Sequence, residues 1–215
     1  MHFRNVTLAA LAFATVAFAQ QDSGFQERYA ANLNIGESYI NITNTGANGA
    51  PLLGPGLFGS NTATGNICVN VYAIDPNEEL ISCCSCLVTP DQTVNLGVAY
   101  DLTSQTLTGA STIPTSVTVA LVATLAGTGG SGASCQYSAG IGGTVVNGMA
   151  AWGTSLQDSP GIPYTNTETS FTPVSGSAGG SGSNLASLVG RCASIIGNGS
   201  GHGICRSCTA GTLFD

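Results

Sequence analysis

Eight cysteines carry most of the potential chemistry of this 215-residue sequence. Two of them form the motif Cys83-x-x-Cys86, and two more form Cys205-x-x-Cys208. Four thiolates at these spacings would suit a tetrahedral zinc site, and Arg206 between two thiols could lower a thiol pKa for redox chemistry. A redox Cys-x-x-Cys motif normally opens a helix after a strand, however, whereas Cys205 follows a glycine-rich loop.

Structural disulfides are the interpretation that the same cysteines favour. Their number is even, and an even set in an exported chain is typical of a disulfide framework. Adjacent Cys83 and Cys84 would point to opposite faces of a strand and so take different partners. We therefore expect disulfides among Cys68, Cys83, Cys84, Cys86, Cys135, Cys192, Cys205 and Cys208.

Hydrolytic arrangements are poorly supported. His202 is the single histidine beyond the N-terminal region, and no Gly-x-Ser-x-Gly motif occurs. A glycosidase-type carboxylate pair has candidates but no pattern that brings two together. The acidic candidates are Glu37, Asp75, Glu78, Glu79, Asp91, Asp101, Asp158 and Glu168. We assign no catalytic, cofactor-binding or metal-binding residue, and the sequence favours a protein that is not an enzyme.

The composition excludes several partners. The chain has 4 basic residues, all arginine, against 11 acidic residues, and its net charge is −7. Without a basic cluster there is no source of the counterion release that drives nucleic-acid binding. Anionic membrane surfaces are poor partners for the same reason. Because 43% of the residues are hydrophobic, a folded domain is still expected.

The N-terminus has the pattern of a secretory signal peptide. Arg4 precedes the apolar run 7–18, and Ala17-Phe18-Ala19 matches a signal-peptidase site. No later stretch is apolar for about 18 residues, so no membrane span is predicted. We expect residues 1–19 to be removed and residues 20–215 to form a single β-rich secreted domain. Its expected location is extracellular, at the cell surface or in the periplasm.

Alternating apolar residues predict a mainly β fold. Strands are expected at residues 39–43, 67–73, 80–88, 93–101 and 116–126, joined by turns rich in Pro, Asp and Asn. The pattern suits an antiparallel β-sandwich or β-meander. Glycine- and serine-rich loops are predicted at 127–134 and 173–183, and residues 137–171 between them contain Gly, Thr and Pro throughout, so no strand is assigned there.

The turn at 75–79 permits a prediction about strand register. If it is a symmetric five-residue loop, residues whose numbers sum to 154 face each other. Cys68 then lies opposite Cys86, close enough for a cross-strand disulfide. A shift of one residue would place the two thiols on opposite faces.

One C-terminal helix completes the predicted fold. Ser183 or Asn184 could cap its start, and Gly197 suits its end. Cys192 falls on the apolar stripe of this helix. A disulfide from Cys192 to Cys205 or Cys208 would tie the C-terminal segment back to the helix.

Several blocks of this sequence resemble blocks in a group of other proteins. They are residues 66–72, 83–90, 195–200 and 203–208. Together they resemble uncharacterised exported cysteine-containing bacterial proteins, over most of the mature chain. The resemblance implies that the protein is exported. It implies no activity and identifies no functional residues in this sequence.

The remaining surface consists of Ser, Thr, Asn, Gly and Ala rather than charged residues, which suits contact with copies of the same chain or with neutral polymers. We therefore expect a disulfide-stabilised structural or self-assembling protein, whose extended segment 20–34 could add to an exposed sheet edge. A binding module for a neutral polysaccharide or another surface ligand is the alternative, and a zinc or redox protein comes third. The candidate stacking residues are Tyr72, Tyr100, Tyr137, Trp152 and Tyr164, of which Tyr100 and Trp152 are expected to pack in the core instead.

Overall fold

The computed structural model describes residues 23–49, 65–107, 113–126, 135, 145–174 and 183–206. The predicted signal peptide, Tyr137 and Cys208 lie outside these ranges. The strands are β1 (Phe25–Ala30), β2 (Tyr39–Asn44), β3 (Ile67–Ile74), β4 (Leu80–Val88), β5 (Thr93–Gly97), β6 (Val117–Leu125), β7 (Met149–Ser159), β8 (Ile162–Ser170) and β9 (Thr172–Pro173). A π-helix spans Val98–Leu102, and helix α1 spans Ser183–Gly197.

The strands form two antiparallel sheets, so the predicted mainly β fold is confirmed as a sandwich. The first sheet has the order β4-β3-β6-β1-β9, and the second has the order β5-β2-β7-β8. A simple meander does not continue past β4, because β5 pairs with β2 in the second sheet. Strand β1 lies between β6 and β9, so the extended N-terminal segment is used inside its own sheet.

The core lies between the two sheets and follows from the alternation in the sequence. Ile40 and Ile42 of β2 face Val69 and Val71 of β3, and Leu121 of β6 lies beside them. All five side chains are fully buried. Burying an aliphatic side chain of this size stabilises a fold by about 1.5–3 kcal/mol, so this cluster holds the layers together.

Helix α1 covers the outer face of the first sheet and confirms the predicted C-terminal helix. Its buried residues Cys192 and Ile195 pack against Tyr72, Leu80 and Val122 from the sheet. The first sheet is therefore covered on both faces, by the second sheet on one side and by α1 on the other.

The turn between β3 and β4 has the predicted chemistry. The Asp75 carboxylate accepts hydrogen bonds from the backbone N–H groups of Asn77 and Glu79, both at 2.9 Å. Ile74 faces Leu80 across the hairpin. The loop is thus symmetric where the strands begin, as the sequence predicts.

The predicted Cys68–Cys86 disulfide is wrong because the register changes within the hairpin. A bulge between Ala73 and Ile74 shifts the pairing by one residue. Beyond the bulge Cys68 faces Leu87, and Cys86 is displaced to the opposite face of the sheet. A bulge of one residue reverses which side chains share a face, and the residues of this turn give no sign of it.

Three disulfides connect distant parts of the chain. They join Cys68 to Cys135, Cys83 to Cys192 and Cys84 to Cys205, across 67, 109 and 121 residues. The expected link from Cys192 to Cys205 or Cys208 is therefore wrong, since Cys192 bonds to β4. Cys86 is also disulfide-bonded.

The predicted strand over 93–101 ends earlier than its alternation suggests. The chain leaves β5 at Gly97 and forms the π-helix instead. Glu37 explains the change, because its carboxylate accepts hydrogen bonds from the N–H groups of Ala99 at 2.7 Å and Tyr100 at 2.9 Å. A side chain from a distant loop thus outweighs the local strand pattern.

The longest hairpin among the described strands lies between the two predicted loops, where the sequence analysis assigns no strand. Strands β7 and β8 span 11 and 9 residues. The inward face of β7 carries Met149, Ala151 and Gly153, all buried. Small inward residues hide the period-two pattern, because a glycine or alanine at a core position contributes little hydrophobicity.

Removing one long-range disulfide tests its contribution to stability. A variant carrying Cys83→Ala and Cys192→Ala is expected to lose about 4 kcal/mol in free energy of unfolding, because the bond closes a loop of about 100 residues in the unfolded chain. Urea unfolding without reductant measures the loss. A midpoint equal to that of the unmodified chain would contradict this account.

Candidate functional site

The outer face of the second sheet is a broad solvent-facing surface. Because Ile40 and Ile42 point into the core, Tyr39, Asn41 and Thr43 on the same strand point outward. The register of the neighbouring strands extends this surface on both sides. We call this surface the polar face; it comprises Tyr39, Asn41, Thr43, Thr93, Asn95, Ala150, Trp152, Thr154, Glu168 and Ser170.

Direct side-chain hydrogen bonds order part of the polar face. Thr43 Oγ1 and Thr93 Oγ1 are 2.7 Å apart across β2 and β5. Asn95 Nδ2 donates to Asn41 Oδ1 at 2.8 Å. Paired side chains lose less conformational freedom when a ligand binds, so this row is partly pre-organised.

Two aromatic side chains share the polar face. Trp152 on β7 faces Asn41, and Tyr39 lies two residues along β2 from Asn41. Trp152 is partly exposed and Tyr39 is 42% exposed. The expectation that Trp152 packs in the core is wrong, because its neighbours Ala151 and Gly153 take the inward positions.

The other aromatic candidates are scattered. Tyr100 is 62% exposed, which overturns its expected core position; its ring lies under the Arg206 guanidinium, 4.9 Å away. Tyr72 is buried beneath α1 and cannot stack on a ligand. Tyr164 is exposed on β8, and Tyr137 lies outside the described residues. Trp152 falls on the polar face, and Tyr164 points to the same side of the sheet, where its ring lies against Gly36. Tyr39 was missed.

One edge of the first sheet is covered at Ile81 and Cys83, and the other edge is short. Along β4, Cys83 N–H donates to the carbonyl of Gly203 at 2.9 Å, and Leu107 N–H donates to the carbonyl of Ile81 at 3.0 Å. Gly203 has φ +78°, and a Cβ there would lie 2.6 Å from Ile195 Cγ2, so glycine allows this close approach. The other edge, β9, is two residues long. Covering and shortening are standard ways to prevent edge-to-edge pairing.

The edge of the second sheet at β8 has no such cover among the described residues. This nine-residue strand pairs with β7 on one side, and no described strand lies on the other. Every residue from Tyr164 to Ser170 is exposed. Glu168 is its single charge, and Pro163 stands next to its start. The opposite edge, β5, is five residues long.

The predicted acidic candidates do not form a catalytic pair. The carboxylates of Glu37 and Asp101 approach each other near Gly97, but they accept backbone hydrogen bonds that hold the π-helix. Asp75 holds its turn, and the other acidic candidates are exposed: Glu78, Glu79, Asp91, Asp158 and Glu168. His202 is exposed in its loop. These groups serve local structure or face solvent.

The disulfides argue against the zinc and redox alternatives. The sulfurs of Cys83 and Cys205 are bonded to Cys192 and Cys84, and Cys86 is also disulfide-bonded. A disulfide sulfur is not the thiolate that binds zinc or attacks a disulfide. Cys208, the remaining member of the two motifs, lies outside the described residues.

A groove of about 630 Å³ runs between α1 and the start of β4. Leu80, Leu107 and Ile195 form its apolar floor, and Glu79 and Arg191 stand at its rim. The groove is open to solvent, and its rim charges are exposed. It offers no side-chain arrangement of nucleophile and base, so we assign it no reaction.

Comparisons with known proteins give no functional assignment. No protein-family model matches the chain, and no curated protein matches it. The crystal structure of Thermotoga maritima 1070 is similar over 71% of this chain and 97% of that chain, at 8% sequence identity and a TM-score of 0.35. A likeness at that level supports no inference about fold or function. Among the described residues no helix is both long and apolar enough to cross a membrane.

The buried phenol beneath α1 makes stability sensitive to alkaline pH. Burial raises the pKa of Tyr72 to about 12, whereas its ordinary value is 10.0. The stability linked to this group is full below pH 10 and is lost as the pH rises towards 12. Tyr72→Phe should shift alkaline unfolding, followed by circular dichroism, to higher pH. Tyr29→Phe, at an exposed site, is the control, and an equal midpoint for Tyr72→Phe and the unmodified chain would refute the prediction.

Proposed function

We propose that this protein is a secreted, disulfide-stabilised structural protein that associates with copies of itself through strand β8. The observation that carries the proposal is the nine-residue edge of β8, which no described strand pairs. An extended edge presents unpaired N–H and C=O groups that a second strand can satisfy. The three disulfides suit an oxidising compartment outside the cytoplasm.

The contrast between edges supports this choice of surface. Two chain segments cover β4 at Ile81 and Cys83, and β9 is too short to pair extensively. The sequence has no lysine, the residue that most often guards exposed edges. On β8 a single carboxylate, Glu168, opposes association.

A two-fold pairing of β8 with β8 suits its charge pattern. If two copies pair antiparallel about Asn166, Glu168 of one copy lies opposite Tyr164 of the other. The two carboxylates then do not face each other, and like charges directly opposite would be destabilising. Such a dimer joins two four-stranded sheets into one continuous sheet.

Two lysines on the edge test the proposal. Asn166→Lys with Thr167→Lys should convert a dimer into a monomer, because the paired strands would bring these charges together. Sedimentation velocity over a wide range of protein concentrations measures the mass. Ala186→Lys with Ser187→Lys, on the exposed side of α1, adds the same charge and should leave the dimer intact.

Three results would decide the matter. A dimer lost with the β8 substitutions but kept with the α1 substitutions supports the proposal. A larger assembly with the same dependence would indicate pairing of β8 with β5. A strictly monomeric unmodified chain at every concentration would end it.

The polar face favours a second candidate function, the binding of a neutral polysaccharide. Trp152 and Tyr39 supply aromatic surface, and Asn41 and Asn95 supply amide groups between them and the sheet edge. Apolar faces of sugar rings stack on aromatic rings, while hydroxyl groups pair with amides. The polar face carries one charged residue, Glu168, so it suits an uncharged polymer.

Loss of the indole should weaken such binding. Trp152→Ala is expected to reduce retention on an insoluble neutral polysaccharide by about tenfold, which corresponds to about 1.4 kcal/mol. A pull-down with microcrystalline cellulose measures retention. Tyr29→Ala removes an aromatic ring that is 59% exposed on the first sheet, and it should leave retention unchanged. Equal retention of Trp152→Ala and the unmodified chain would refute the role of the polar face.

A further inference from the structure

Strand β1 places a guanidinium between the two sheets. The register with β6 puts Gln26, Arg28 and Ala30 on the inward face. Gln26 is fully buried, and Arg28 is 7% exposed. Arginine is rarely buried to this extent unless a negative charge compensates it. The partner of Arg28 therefore needs an explanation.

The described neighbours of Arg28 are neutral. Its Nε donates to Thr169 Oγ1 at 3.2 Å, and its Nη2 donates to Ser155 Oγ at 2.6 Å. Nη1 is buried and has no hydrogen-bond partner among the described residues. No carboxylate in the described part of the chain pairs with this guanidinium. Burial lowers the pKa of Arg28, which reflects the cost of an uncompensated charge there.

The surrounding strands are shaped around the guanidinium. Gly153 on β7 lies against it, and a Cβ at this position would be 2.8 Å from the Tyr39 carbonyl oxygen, 3.1 Å from Nη1 and 3.3 Å from Cζ. A larger residue would press on the cation, so the glycine leaves it room. Thr169 and its strand neighbour Thr167 are exposed, which gives this end of the sandwich a route to solvent.

A second polar group with an unused atom lies nearby on the same strand face. Gln26 Nε2 donates to the carbonyls of Ser23 and Met149, both at 2.8 Å, which fixes the orientation of the amide. Its Oε1 is buried without a partner among the described residues. A water molecule could pair with this oxygen, but a neutral water would leave the charge of Arg28 uncompensated.

We infer that Arg28 Nη1 is part of a binding site for one small monovalent anion, held between β1 and the β7–β8 hairpin. The anion accepts hydrogen bonds from the N–H groups of Nη1 and neutralises the charge of the buried guanidinium. A chloride ion or a small carboxylate such as formate has the required charge and size. Charge-assisted hydrogen bonds of this kind are among the stronger polar contacts in proteins.

Anion-dependent stability tests the site in the intact protein. At constant ionic strength, chloride or formate in place of gluconate should raise Tm with one-site saturation, by about 5–10 °C at 100 times Kd. Gluconate is too large for a gap between packed strands. Response to chloride alone indicates an inorganic ion, whereas response to formate alone indicates a carboxylate; both support the site.

Two variants separate the site from a general salt effect. Arg28→Gln should abolish the chloride-dependent rise in Tm, while Arg191→Gln, the same change at an exposed position, should keep it. If Arg28→Gln does not fold, ³⁵Cl line broadening on the unmodified protein, displaced by formate, decides the question. Equal Tm in chloride, formate and gluconate, or loss of the response in both variants, would overturn the inference.

Discussion

The adjacent pair Cys83 and Cys84 is the constraint on which the rest of the structure depends. Neighbouring strand residues point to opposite faces, so one sulfur reaches helix α1 and the other reaches Cys205 in the sandwich interior. One position on β4 thereby holds both helix α1 and the C-terminal segment against the first sheet. The two bonds span 109 and 121 residues, and cross-links of such length strongly restrict the unfolded chain.

These bonds also explain why β4 is not an open edge. The bond to Cys205 holds the segment containing Gly203 beside β4, where it satisfies the N–H of Cys83. The Cys84–Cys205 disulfide therefore holds a distant chain segment over the edge of β4, which a short loop would not reach. The second sheet has no disulfide in its described strands, and no described segment covers its β8 edge.

Period-two alternation predicted the strands whose inward positions hold Val, Ile or Leu. It failed where distant hydrogen bonds or small inward residues determine the structure. Strands β3, β4 and β6 follow it closely, because Val, Ile and Leu face the core. The chain after Gly97 forms a π-helix because the carboxylate of the distant Glu37 accepts hydrogen bonds from its N–H groups. The polar face was missed because its register depends on β7, whose inward residues are too small to show a pattern. The disulfide pairing failed through one bulge.

The open edge and the buried guanidinium have a common origin. Most of the sandwich is held by aliphatic residues, but the inward face of the β7–β8 hairpin near Arg28 presents Ser155 and Thr169 instead. Hydroxyl groups gain little from leaving water, so this inward face contributes little hydrophobic burial to β8. The described contacts of β8 are the backbone hydrogen bonds to β7, the hydrogen bond of Thr169 with Arg28, and the Tyr164 ring against Gly36. We therefore expect a new backbone partner to stabilise β8 more than it would stabilise a strand that is already packed into a core.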